Sequence, residues 1–132
     1  MNCLVDTHIF LWSLFDKKRI SKRVQEILLQ DGNQLYVSAV TFWEISLKCA
    51  LGKLQLEGID PAELPAAAQE ANYQLIQMDS ATAASFNKLP VEKHRDPFDR
   101  MLIWQAIRQN MILLSHDTEL DVYCKYGLQI AG

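Results

Sequence analysis

Only three cysteines and three histidines occur among the 132 residues. Cys3, Cys49 and Cys124 lie far apart, and no pair has the spacing of a zinc site or a thiol redox motif. They read as small apolar residues in a reducing compartment, which makes the cytoplasm the expected location. Five glycines and four prolines leave no linker, low-complexity stretch or internal repeat. No apolar run approaches the roughly 20 residues of a membrane span. Met1-Asn2-Cys3-Leu4-Val5-Asp6 has no basic stretch before its apolar residues, so it reads as a first strand and not as a signal peptide. The net charge of −3 carries no overall basic excess. That sum does not exclude a nucleic-acid partner, because distribution matters more. Positive charge is concentrated in Lys17-Lys18-Arg19-Ile20-Ser21-Lys22-Arg23, five basic residues in seven.

An apolar fraction of 49% and a charged fraction of 22% are ordinary for a globular protein. The length predicts one domain over residues 1–132, able to bury roughly two thirds of its unfolded surface. Asn2 to Val5 is a first strand and Thr7 to Phe15 a short apolar helix. Ser21 caps a helix to about Gln30, with Val24, Ile27 and Leu28 on one face. Leu35 to Val37 is a second strand and Val40 to Leu51 a helix ended by Gly52. Pro61 and Pro65 frame a helix reaching Asn72. Tyr73 to Gln77 alternates as a third strand, and Asp79 caps a helix from Ser80 to about Leu89. Asp96-Pro97 starts a helix to Gln109. Met111 to Leu114 is a fourth strand, Asp117 caps a short helix through Tyr123, and Gln129-Ile130 is a marginal last strand. Short apolar strands separated by helices predict an α/β fold with a mostly parallel sheet covered on both faces.

Four acids stand out against this frame. Asp6 directly follows the first strand, and Asp117 follows the fourth within three residues. Glu44 lies early in the helix after strand two. Asp99 lies in the first turn of the helix that leads into strand four. Each has a structural reading: Asp117 as an N-cap, Asp99 as a helix-dipole residue, Glu44 as a solvated helix residue. Asp96 is most simply an N-cap. Asp6 is harder to dismiss, because burying an unpartnered acid beside a parallel sheet is costly. Topology brings all four to one edge, where ligands of open parallel sheets bind. Gathered carboxylates repel one another unless a cation sits between them. Hard oxygens without soft partners suit Mg²⁺ or Mn²⁺.

Leu4-Val5-Asp6-Thr7-His8, Trp43-Glu44-Ile45, His94-Arg95-Asp96-Pro97-Phe98-Asp99-Arg100 and Leu113-Leu114-Ser115-His116-Asp117 resemble the motif set of PIN domains. More narrowly, they resemble the VapC-like ribonucleases of type II toxin–antitoxin pairs. The resemblance covers nearly the whole chain with the motifs in order. It implies a three-layer α/β/α fold with a five-stranded sheet in the order 3-2-1-4-5. It also implies a metal-dependent endoribonuclease that acts as a toxin and is paired with a small antitoxin protein. Asp6, Glu44, Asp99 and Asp117 correspond to the acidic quartet, with Asp6, Asp99 and Asp117 as metal ligands. Ser115, Asp96 and His94 take supporting positions.

In such a site, basic side chains must guide an RNA backbone past the acids. Lys17, Lys18, Arg19, Lys48, Arg95 and Arg100 are the candidates, as sequence-independent phosphate contacts. Trp12, Phe15, Phe42 and Trp43 are core residues, or else form an antitoxin groove or a homodimer face. Two other readings stay open. One is a catalytically inactive scaffold, which has no reason to keep four mutually repelling acids. The other is a phosphoacceptor signalling domain, for which neither Asp79 nor Lys125 completes a convincing set.

Overall fold

The computed structural model describes all 132 residues. Short strands alternate with helices: β1 (Asn2–Val5), α1 (Thr7–Phe15), α2 (Lys22–Leu29), β2 (Gln34–Ser38), α3 (Ala39–Ala50), α4 (Leu64–Glu70) and β3 (Gln74–Ile76) come first. Next come α5 (Ser80–Ala84), α6 (Pro97–Gln109), β4 (Ile112–Leu114) and β5 (Gln129–Ala131). Short 3₁₀ turns cover Lys17–Arg19, Pro61–Glu63 and Phe86–Lys88, and a longer 3₁₀ helix covers Thr118–Tyr126. The five strands form one sheet in the order β3-β2-β1-β4-β5, with every pair parallel. This is the order that the motif resemblance implies.

The alternation of side chains along each strand builds two cores. Cys3 and Val5 join one with Leu35, Val37 and Leu114, under Ile9 and Phe10 of α1, Val24 of α2, Ile45 of α3 and Leu64 of α4. Leu4 and Leu113 face the other way, onto Leu102, Ile103 and Ala106 of α6 and onto Leu120 and Tyr123. The sheet is therefore the middle of three layers. At its centre, Cys3 lies opposite Leu35 of β2 and Ile112 of β4. The strand order reverses between β1 and β4, which places a crevice beyond their carboxyl ends.

Several expected elements differ in extent. The helix from Ser80 stops at Ala84. The Ser85 hydroxyl donates to the Ala81 and Thr82 carbonyls, and the Trp104 indole N–H also takes Thr82 O at 3.1 Å. These bonds compete with the helix ladder. The short helix after Asp117 is a nine-residue 3₁₀ helix ending at Tyr126. β4 begins one residue later than predicted, because the Met111 N–H still bonds to Ala106 O (2.9 Å) around left-handed Asn110.

Candidate active site

Asp6 leaves β1 and caps α1. Its backbone N–H donates to Leu114 O of β4 at 3.0 Å, tying the two strand ends together. Its Oδ1 accepts the Ile9 N–H at 2.7 Å, and Ser115 lies close enough to its carboxylate to favour the ionised form. Ser115 in turn accepts the Asp117 N–H on Oγ at 3.1 Å. Ser115 thus lies between the acid after β1 and the acid after β4. Asp6 is only 6% exposed and makes no ion pair. Burial pushes its carboxyl above the usual range, although Ser115, Ile9 and the charges of His8 and His116 pull it down. Asp117 caps the 3₁₀ helix, accepting the Glu119 N–H at 3.0 Å.

Glu44 enters from the other side. It lies in the middle of α3 and is 3% exposed. Thr7, next to Asp6, donates its hydroxyl to Glu44 Oε1 at 2.6 Å. Lys48, one helical turn on, pairs with Oε2. Burial pulls the Lys48 ammonium down, but the Glu44 contact and the charges of Glu44, Asp96 and Asp99 outweigh it, so the net shift is upward. Lys48 therefore feels three acids at once.

Asp99 lies in the first turn of α6. Its backbone N–H is capped by Asp96 Oδ1 at 3.0 Å, and its own Oδ2 meets His94 Nε2 at 2.7 Å. Burial raises its carboxyl above the ordinary range. Asp96 and Glu44 raise it further, and His94 opposes them. His94 reaches Glu119 with its other ring nitrogen, at 3.2 Å. Burial lowers the His94 ring, yet its bonds to Asp99 and Glu119 and the charges of Asp99 and Asp117 carry it upward overall. Ligand atoms of His94, Asp117 and Glu119 all lie within 4.8 Å of one another.

The predicted acids thus surround the sheet's carboxyl end. Ser115 lies between Asp6 and Asp117, Glu44 is bonded to Asp6's neighbour Thr7, and the Glu44 charge raises the Asp99 carboxyl. Asp6 and Asp117 also line one cleft of about 400 Å³, with His8, Trp12, Arg19 and His116. Carboxylate oxygens are the donors a hard divalent cation takes, although the one group of ligand atoms within 4.8 Å of one another is His94, Asp117 and Glu119, and not Asp6, Asp99 and Asp117. Asp6 is buried without a counter-ion, and of the four acids only Glu44 and Asp99 are ion-paired, with Lys48 and His94.

The basic candidates divide. Lys18, Arg19 and Arg23 line an adjoining cleft of about 530 Å³ with Ser115, His116 and Asp117. Lys17 is exposed on the same 3₁₀ turn, and Arg95 is exposed on the loop before α6. Lys48 is held by Glu44. Arg100 faces elsewhere: its Nη2 donates to Leu89 O (2.8 Å) and Pro90 O (3.2 Å), and its guanidinium covers Phe86. It anchors the loop before α6. Sequence reasoning did not anticipate the Thr7–Glu44 bond or the place of Glu119, since neither has a local signal. The Lys48–Glu44 pair has one, an i, i+4 spacing on a helix.

The model of the PIN domain family matches residues 3–126. No curated protein matches the sequence. Solved structures share the fold at low identity. VapBC2 from Rickettsia felis, bound to a DNA fragment from their promoter, aligns with a TM-score of 0.71 and 14% identity, covering 99% of this chain and 98% of that one. VapBC-1 from nontypeable Haemophilus influenzae gives 0.66 and 19%, over 99% and 97%. FitAcB from Neisseria gonorrhoeae gives 0.67 and 18%, over 98% and 96%. The chain belongs to the PIN domain family.

Proposed function

We propose that the protein is a metal-dependent endoribonuclease that hydrolyses RNA phosphodiester bonds, the toxin of a type II toxin–antitoxin pair. The observation that carries this reading is the gathering of Asp6, Glu44, Asp99 and Asp117 from four separate elements at one end of the sheet. Asp6, Asp99 and Asp117 would hold Mg²⁺ or Mn²⁺. When bound, such an ion supplies charge neutralisation at the phosphate and an acidified water near neutral pH.

The side chains do the rest. Glu44, held through Oε1 by Thr7 and through Oε2 by Lys48, would orient the attacking water with a remaining carboxylate lone pair. Water adds to phosphorus as the bridging P–O bond breaks; the proton the water loses passes to solvent, and the leaving oxygen takes one up from solvent. Ser115 holds Asp117 through its backbone N–H, and Asp96 keeps Asp99 at the start of α6. Lys17, Lys18, Arg19 and Arg23 draw the RNA backbone to the cleft from one side, which offsets the repulsion of the acids. The partner is a small antitoxin. This is consistent with a fold shared with VapBC and FitAcB assemblies. Trp43, 60% exposed and edge-on to Phe98, offers a face for a second copy of the chain.

The test uses purified, partner-free protein on a pool of single-stranded RNAs. Cutting with Mg²⁺ or Mn²⁺ that stops in chelator is expected. Cutting that persists in chelator would overturn the metal-dependent mechanism. No cutting under any condition would favour the scaffold.

A further inference from the structure

We infer that the cleft beside Asp6 and Asp117 is a nucleobase subsite, in which one unstacked base of single-stranded RNA lies against Trp12 next to the phosphate to be cut. This rests on the ribonuclease reading and narrows its substrate. Four planar groups meet there. The His116 ring stacks on the Trp12 indole, with centroids 6.1 Å apart and planes 25° apart. The His8 ring stands 5.5 Å from the indole, tilted by 39°. The Arg19 guanidinium lies over the indole at 4.8 Å. All four line the cleft of about 400 Å³ that Asp6 and Asp117 also line. That volume falls in the range of roughly 300–1,000 Å³ usual for ligand sites.

Ordinary core packing does not account for this group. His8 and Arg19 are exposed, and Trp12 and His116 are only half-buried. Aliphatic side chains would fill such a corner with fewer polar atoms left at the surface. Planar π-faces beside an arginine are what single-stranded nucleic acid uses, because every base has a face to stack. The wall is also held in place. His116 Nε2 accepts the Ser21 N–H at 3.0 Å, which fixes the ring plane against α2. Arg19 is the displaceable member, on a flexible stem at the rim. A base takes its place over the indole, and the guanidinium turns to the adjacent phosphate. Lys18 and Arg23, in the adjoining cleft, continue the positive track along the backbone. A duplex does not fit this arrangement, since its bases stay stacked and their faces are hidden. A neighbouring groove of about 720 Å³ shares His8, Trp12 and Arg19 with this cleft, and there Leu11, Phe15, Leu54 and Leu56 add the apolar contact that a protein partner would use.

The experiment measures binding of a fluorescein-labelled, single-stranded oligoribonucleotide by anisotropy, in an Asp99→Asn background that prevents turnover. A series of oligonucleotides carries one abasic nucleotide at successive positions. One position near the cut should lose affinity by roughly 5- to 150-fold, the range of one lost base–aromatic stack. Trp12→Leu should show the same loss on the intact strand and no further loss on that abasic strand. Trp12→Phe should recover most of the affinity. His8→Ala, at an exposed position, controls for folding and should weaken the same position alone. A flat abasic scan in a protein that does cut RNA overturns the base subsite and leaves the nuclease reading standing. So does a Trp12→Leu protein that binds RNA normally but loses its protein partner. A wild-type protein that neither binds nor cuts RNA overturns both.

Discussion

Replacing Lys48 by methionine keeps most of the side-chain volume and removes the cation that pairs with Glu44. Glu44 is 3% exposed and the Lys48 side chain 36%. An exposed ion pair contributes about 0–1 kcal/mol, whereas stranding one charge of a fully buried pair costs about 3–5 kcal/mol. This pair has one buried member and one partly solvated member. Thr7 also keeps its bond to Oε1 when Lys48 is gone. The loss at neutral pH without metal should therefore fall between those limits, at about 2 kcal/mol. In a chain of this size that lowers the melting temperature by roughly 8 °C. Glu44→Gln removes the stranded charge, so the double variant should regain most of the loss, giving a coupling energy of about 2 kcal/mol. Chelator-treated melts and urea titrations of the four proteins measure it. A Lys48→Met protein that melts with the wild type, or two variants whose effects simply add, would refute the reasoning.

The remaining predictions concern the other charges. Asp99→Asn should raise metal-free stability by about 1 kcal/mol at neutral pH. The raised Asp99 carboxyl means that stability is lost as pH climbs above the unfolded value of about 3.9, and the variant should flatten that decline in thermal melts. Added Mg²⁺ should stabilise the wild type more than this variant. The His94 ring is also raised, so its contribution is complete below the unfolded value of about 6.5 and is lost as pH rises through its folded value. His94→Gln should remove that part of the pH profile, and an unchanged profile would place the titration elsewhere. Neutralising Lys17, Lys18, Arg19, Lys22 and Arg23 one at a time should flatten the log–log salt dependence of RNA binding, by about 0.7 for each true phosphate contact. An unchanged slope would make that run an ordinary solvated face.

The strands were the most legible part of the chain. β1 was readable to the residue, because Asn2–Val5 is bounded by a terminus and by an acid that caps the next helix. Strand–helix alternation sets the sheet edge on which each acid lies, but not whether Asp6, Asp99 and Asp117 come together as one ligand set. Helix extents were less legible where side chains compete with the backbone, as Ser85 and Trp104 do after α5. Asp117 announced a cap but not the kind of helix that follows it. Arg100 looked like a phosphate contact from its motif position. Its guanidinium instead satisfies loop carbonyls eleven residues back, a pairing that depends on how the loop before α6 folds over Phe86. The Thr7–Glu44 bond spans 37 residues and arises only when α1 and α3 pack side by side. Such long-range polar contacts leave no periodic trace in a sequence.

The four carboxylates acting as one metal-dependent site is the central claim. The direct measurement is Mn²⁺ binding by titration calorimetry, with RNA cleavage on the same samples, for Asp6→Asn, Glu44→Gln, Asp99→Asn and Asp117→Asn. Folded proteins that lose cleavage in all four cases, with weakened Mn²⁺ binding for the three aspartate variants, are the predicted result. Variants that bind Mn²⁺ and cut RNA like the wild type would contradict it.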